Sequence, residues 1–367
     1  MSIRRLRISQ LRNVQQAELE LRRVNLLCGP NGSGKTSVLE AVFVLGSGRS
    51  FRASRLDPVI QHDASQFTVF ASLVGEGSDG APPVAIGVSR SRDGSFAGRI
   101  QGQAIRNSAE LARRLPLQLI NSDTFDLLVG GPKVRRQFLD WGVFHVEHGF
   151  HRTWLDVHRC LRQRNALLRH DRIPTAQLEI WNSQLAESAA QLDEMRQRYF
   201  DAFYPIFQQT LRELLSLDGL ELAYQRGWDR ERSLEAVLAE QIEKDRARGF
   251  TQSGPHRADV RVRMRGINAA EVLSRGQQKL VGAAMKLAQG RLFSASQGRD
   301  CVFLVDDLPA ELDRAHRRQL CQLLGAMRCQ VLLSCVDAAE LSGCWDGLAA
   351  NELKLFHVEH GALSAVN

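Results

Sequence analysis

Gly29-Pro30-Asn31-Gly32-Ser33-Gly34-Lys35-Thr36 is a complete phosphate-cradling loop of the form GxxxxGK[ST], and Ser37 follows it. Its flanks fit as well as its letters. Val24, Leu26, Leu27 and Cys28 precede it as a short apolar run, the mark of a buried strand. Val38, Leu39, Ala41, Val42 and Leu45 follow at helical spacing. Glycines let successive backbone N–H groups converge on an anion, and the new helix N-terminus adds a favourable dipole. Lys35 then serves as a point charge for the β and γ phosphates, and the Thr36 hydroxyl as a ligand for Mg²⁺. The motif implies a nucleoside triphosphate as ligand.

A phosphate loop needs a second strand whose end holds the metal. Val302-Phe303-Leu304-Val305-Asp306-Asp307 supplies one, with four apolar residues and then two acids. Asp306 emerges at the carboxyl end, where open α/β sheets bind ligands, and is expected to hold Mg²⁺. Asp307 is placed to orient or activate the attacking water. Upstream, Leu273-Ser274-Arg275-Gly276-Gln277-Gln278-Lys279 opens an apolar-periodic helix. A serine and a glycine at a helix start can form a second anion site, although an ordinary serine cap reads the same way.

The 367 residues suffice for two or three domains, and 44 % apolar with 24 % charged residues is ordinary globular composition. The start of the chain has no signal-peptide pattern and no apolar run approaches 18 residues, so a cytoplasmic protein without a membrane span is expected. Seven widely spaced cysteines without CxxC argue for reduced thiols. The net charge is +7, and only six of the 48 basic residues are lysine. Arginine's planar fork suits phosphate, which makes a nucleic-acid partner plausible, although coding bias also enriches arginine.

Residues 1–124 carry strand and turn signals around the loop: Ile3, Leu6 and Ile8, then Phe67 to Leu73, a turn-rich break from Gly75 to Pro83, and Val84 to Val88. From 125 to 250 the periodicity becomes helical. Phe150, Trp154, Val157, Leu161 and Leu168 define one helix, and 171–175 reads as a loop. Leu178, Leu185, Leu192, Tyr199 and Ile206 then recur every seven residues, with Trp181, Met195 and Ala202 three positions after their partners; the seam is expected to kink or stop near Pro205. Strand signals return after 251, including the alternating run Ala258 to Met264. The simplest organisation is an α/β nucleotide-binding head split into 1–124 and 251–367, with a helical insert, or arm, at 125–250.

The loop, LSRGQQK, VFLVDD and Ala310-Glu311-Leu312-Asp313 together resemble the ABC/SMC-type heads of DNA-repair ATPases, with Arg275 in place of the signature's first glycine. More narrowly, the chain resembles the RecF family of bacterial recombinational repair proteins. That likeness rests on Leu11-Arg12-Asn13, Leu115-Pro116-Leu117-Gln118, the segment Gly130 to Trp141, Gly254 to Asp259, and Phe356 to Gly361. It implies a mixed-sheet head that buries two ATPs between two copies, Ser274, Gly276 and Gln277 serving the partner's nucleotide. It gives Gln118 the role of sensing γ-phosphate and metal, sets Arg12 and Asn13 near the nucleotide, and puts Ala310 to Asp313 at the dimer interface.

The resemblance further implies binding to gapped, single-stranded or duplex DNA and to stalled forks. It implies RecR- and RecO-type mediator partners, loading of the recombinase RecA, and support of SOS induction. Arginines of the insert and the group Arg4, Arg5 and Arg7 are the candidate DNA contacts. Asp307 is a methylene shorter than the glutamate of transporter motors, and Ser334 falls where those motors carry histidine. Both changes point to slow hydrolysis, faster with DNA. An ABC transporter motor subunit is the alternative, and the long insert weighs against it. Phe144 to Gly149 recurs letter for letter as Phe356 to Gly361, and no chemistry in the sequence accounts for it.

Overall fold

The computed structural model describes residues 2–75, 82–170 and 175–366. Residues 76–81 of the expected break and 171–174 of the expected loop lie outside them. Strands β1 (Ser2–Leu11), β2 (Val14–Glu20), β3 (Val24–Cys28), β4 (Gln66–Val74), β5 (Val84–Ser91), β6 (Phe96–Ile100), β7 (Gln103–Ala104) and β8 (Leu117–Ile120) come first. Then follow β9 (Leu220–Gln225), β10 (Asp259–Met264) and β11 (Ile267–Asn268). The last four are β12 (Val302–Val305), β13 (Gln330–Cys335), β14 (Leu353–Glu359) and β15 (Ala362–Val366).

Two compact units emerge. The first comprises Met1–Thr124, Thr210–Leu215 and Lys279–Asn367. It holds an antiparallel sheet, β2-β1-β4-β5-β6-β7, and a mixed sheet, β15-β14-β3-β13-β12-β8. In the mixed sheet β14, β3, β13, β12 and β8 run parallel, so their carboxyl ends share one edge. β3, β12 and β13 are buried along their whole length, which is why they read as unbroken apolar runs. The helix Lys35–Ser47 lies in the core shared by both sheets, with Val38, Leu39, Ala41, Val42, Val44 and Leu45 at 0 % exposure. Gln330 stitches the sheets together: its amide donates to the Ile3 carbonyl at 2.8 Å and accepts the Ile3 N–H at 2.7 Å. The irregular spacing Ile3, Leu6, Ile8 reflects a bulge between Ile3 and Arg5 that keeps all three side chains inward.

The second unit comprises Phe125–Gln209 and Ser216–Gln278. Its first boundary falls between Thr124 and Phe125, and the chain returns to the first unit at Lys279. β10 belongs to the insert because it pairs antiparallel with β9 from Asp259↔Gln225 to Met264↔Leu220. An alternating run shows a half-buried strand, not which sheet receives it.

The long helix Thr175–Leu214 runs through Pro205 without stopping. Phe203 and Phe207 are buried on either side of the exposed proline, and this packing outweighs the roughly 3 kcal/mol a helix-interior proline costs. Leu178, Leu185, Leu192 and Tyr199 are buried as the heptad requires, yet Ala202 is exposed and burial passes to Phe200, Phe203, Phe207 and Leu211. A straight helix drifts about 20° per heptad, so the stripe rotates off a seven-residue register. All seven cysteines are free and buried. No described helix is long and apolar enough to cross a membrane.

Candidate nucleotide site

The site lies in the first unit, at the carboxyl edge of the mixed sheet. β3 delivers the chain into the loop, and the helix Lys35–Ser47 leaves it. Gly29 is required by close approach: a Cβ there would stand 2.1 Å from the Val358 carbonyl oxygen of β14. Gly34, at φ 119°, caps the helix with no side chain over its N-terminus, and its missing Cβ leaves room for the Asn13 amide. Pro30 and Asn31 form the loop's exposed crest, and Gly32 at φ 78° turns it. Lys35 is 7 % exposed, and its ammonium donates to the Gly29 and Pro30 carbonyls at 2.7 and 2.9 Å. It is thereby held across the mouth of the loop.

Thr36 and the acidic strand end meet across the sheet. The Thr36 hydroxyl donates to Asp306 Oδ1 at 3.0 Å, and the Ser334 hydroxyl donates to the same oxygen at 2.6 Å. Ser334 also accepts the Asp307 backbone N–H at 2.8 Å. Asp307 sits in the left-handed region at φ 51°, a conformation uncommon outside glycine, asparagine and aspartate. Burial, then the neighbouring Asp306, raises its carboxyl above the usual aspartate range.

Arg12 and Asn13 form the loop's flank. Arg12 grips the fully buried Glu40 through two hydrogen bonds, at 2.8 and 2.9 Å, and donates to the Pro58 carbonyl at 2.8 Å. The bonds to Glu40 raise the guanidinium's already high pKa. Asn13 donates to the Gly32 carbonyl at 3.1 Å and accepts from Ser37 at 2.9 Å. Arg12 is therefore a brace of the helix, and Asn13 touches the loop itself.

Gln118 is not brought to this site. It pairs with Phe303 in the middle of β8, is 1 % exposed, and donates its amide to Gln289 at 3.2 Å. Asp306 lies three residues beyond Phe303, level with the end of β8: its N–H donates to the Ile120 carbonyl at 2.9 Å. The residue just beyond that end is Asn121, which lines a small cavity together with Asp306, Lys279 and Glu311. The register of β8 with β12, Val305 opposite Ile120, sets Asn121 beside Asp306 and leaves Gln118 inside the sheet. Glu311, in the expected interface segment, pairs with Lys279 at 2.7 Å, and Asp313 caps the following helix by accepting from the His316 N–H.

The sequence also gave no hint of the carboxyl-terminal hairpin. β14 runs parallel to β3, with His357 level with Cys28. At the hairpin's turn the Gly361 N–H donates to the Ser33 carbonyl at 2.7 Å, and a Cβ on Gly361 would lie 1.9 Å from the Asn13 carbonyl oxygen. The second copy of the repeated hexapeptide thus forms the back wall of the phosphate loop. The first copy, Phe144 to Gly149, ends the helix Pro132–Val146 in the other unit.

The loop fits a triphosphate. The Ser33 hydroxyl is buried in it without a partner among the described residues, and the exposed Gly32 has open space where a side chain would stand. Thr36 and Asp306 present two oxygens suited to a hard divalent cation.

Ser274, Gly276 and Gln277 belong to the second unit. Ser274 and Gln277 form a reciprocal cap: the Gln277 N–H donates to the Ser274 hydroxyl at 3.3 Å, and the Ser274 N–H to the Gln277 side chain at 3.0 Å. Ser274 and Gly276 are exposed, and a Cβ on Gly276 would meet nothing within 4 Å. Arg5 and Arg7 are exposed on β1, both paired with Glu18.

Residues 2–361 match the family described as the RecF/RecN/SMC N terminal domain. The chain is 51 % identical over 365 residues to the DNA replication and repair protein RecF of Pseudomonas putida strain GB-1, covering 99 % of this chain and 98 % of that one. It is 50 % identical over 366 residues to the RecF of Pseudomonas fluorescens strain Pf0-1, with the same coverage. Among solved structures, a RecF–ATP structure of the RecFOR pathway superposes with a TM-score of 0.87 at 22 % identity, covering 100 % of this chain and 97 % of that one. An Smc head bound to the winged-helix domain of ScpA follows at 0.60 and 16 %, with the same coverage. The heads share a fold, and the relatives share a sequence along its whole length: the chain belongs to the RecF family of DNA replication and repair proteins.

Proposed function

We propose that this protein is an ATP-dependent DNA-binding ATPase of recombinational repair and replication restart, whose two copies close around two nucleotides. The observation that carries the reading is the closure of the phosphate loop on the acidic strand end, through Thr36, Asp306 and Ser334. Lys35 and the loop N–H groups would hold the phosphates, and Thr36 and Asp306 the Mg²⁺. When bound, Mg²⁺ supplies neutralisation of phosphate charge. Asp307, its carboxyl shifted upward and its backbone fixed by Ser334, would accept the proton of the attacking water through a carboxylate oxygen. A short aspartate in that place fits slow turnover, faster with DNA bound.

The exposed Ser274 cap and the open space over Gly276 support the shared-nucleotide arrangement, because an anion from a second copy meets no side chain there. Relatives named for DNA replication and repair, and a structure assigned to the RecFOR pathway, support a role at gaps and stalled forks with RecR- and RecO-type mediators, RecA loading and SOS induction. They do not favour a transporter motor. Binding of a fluorescent ATP analogue tests the nucleotide half: Lys35→Ala is expected to lose it, and unchanged affinity would remove the site.

A further inference from the structure

The second unit carries a cavity of about 310 Å³ whose lining includes Gly130, Arg135, Asp259, Arg261, Arg263 and Asn268. Its floor is a fixed ion pair: Arg135 meets both carboxylate oxygens of Asp259, at 2.8 and 3.0 Å, and also donates to the Gly130 carbonyl at 2.6 Å. That pair is neutral. At the lip, Arg261 and Arg263 project from the same side of β10 as Asp259, and both are exposed. Among the described residues neither guanidinium has an ion pair or hydrogen bond. On adjoining elements Glu221 stands opposite Arg263 on β9, and Glu271 lies on the short helix Ala269–Val272 after β11. Glu221 makes no ion pair with Arg263 within 4.0 Å, and the cavity lining itself is left with two unneutralised positive charges.

Most exposed arginines are simply hydrated. These two differ in arrangement. Residues two apart on a strand lie about 7 Å apart on one face, comparable to the separation of successive phosphates along a nucleic-acid strand. Arginine's fork grips a phosphate through two parallel hydrogen bonds. Asn268, level with Arg263 on β11, adds a neutral polar group to the same face.

We infer that Arg261 and Arg263, at the mouth of this cavity, hold two consecutive phosphates of a DNA strand. The inference rests on the DNA-binding reading above and locates one contact on the insert. Such contacts carry no base information, so the site is blind to sequence and sensitive to salt.

The test uses the full chain with ATP and Mg²⁺, and anisotropy of a labelled gapped duplex over a salt series. Arg261→Ala with Arg263→Ala is expected to weaken binding about tenfold at 0.1 M salt and to flatten the plot of log affinity against log salt by about 2. Nucleotide binding and melting temperature should stay unchanged. The double lysine variant should recover most of the affinity, since phosphate accepts a point charge. Arg99→Ala with Arg106→Ala, an equal loss of charge on the first unit, should change binding less than about twofold. Wild-type binding with the usual salt slope, matched by the alanine variant, would overturn the site and spare the DNA reading. No salt-dependent binding by the wild type would overturn both.

Discussion

Thr36 and Asp306 stand 270 residues apart in the chain and 3.0 Å apart in space. This one hydrogen bond joins the two halves of the head into a site. The acid is not positioned by Thr36 alone, because Ser334 donates to the same oxygen at 2.6 Å. Ser334 therefore orients the proposed metal ligand from behind. Ser334→Ala should weaken Mg²⁺-dependent nucleotide binding about 10–100-fold, the usual cost of losing such a support. A Mg²⁺ titration of fluorescent-analogue binding measures it. The same change leaves the Asp307 N–H without its acceptor and should cost about 1–3 kcal/mol of stability.

Asp307 gives a pH signature. Its carboxyl is raised in the folded protein, by burial and then by Asp306. The folded state therefore holds this proton more tightly than the unfolded chain, and the ionised side chain opposes folding above that raised value. Asp307→Asn should raise the melting temperature at pH 7.5, and the gain should shrink as pH falls into and below the carboxylate range. Hydrolysis by the variant should fall at least about 100-fold, if Asp307 is the base. A melting temperature lowered at pH 7.5 would contradict the direction of the shift.

Gly361 cannot be replaced cheaply. Its φ of 81° and the 1.9 Å approach of a Cβ to the Asn13 carbonyl oxygen both exclude a side chain. Gly361→Ala should lose at least about 1–3 kcal/mol of stability and should weaken ATP binding, because the hairpin's hydrogen bond to Ser33 is pulled away with it. Calorimetric unfolding and nucleotide titration read the two effects separately.

In the insert, Arg164 and Asp245 form an ion pair at 2.7 Å with both side chains at 0 % exposure, completed by Asn182 and Thr251. Asp245→Ala would leave a buried cation without its counter-charge and should cost about 3–5 kcal/mol. Replacing both residues together by apolar ones of similar volume should cost less. Denaturant unfolding of the single and double variants measures the difference.

The parts of this molecule that were legible in its sequence are those whose chemistry is local. The phosphate loop, the buried strand ending at Asp306 and the Ser274 cap each announce themselves within eight residues. Gln118 misled because a glutamine near a strand end is matched by letters, whereas the register of β8 with β12 decides which residue reaches the edge. The boundary at 279 was hidden because β10 finds its partner in β9, across a loop and two short helices. The repeated hexapeptide makes the same point most sharply. Phe144 to Val146 are helical, and the identical Phe356 to Val358 are strand. Identical letters take their structure from what they pack against: the first copy continues a helix begun at Pro132, and the second adds a strand beside β3.

If triphosphate joins two copies of this chain, each presents Ser274 to the other's ligand. Sedimentation velocity of the Asp307→Asn protein, with and without ATP and Mg²⁺ on gapped duplex, reads this assembly. A 41.1 kDa monomer is expected without nucleotide, a species of twice that protein mass with it, and no such species when Ser274→Arg is added to the same chain. A protein that stays monomeric at saturating ATP, with or without DNA, would contradict it.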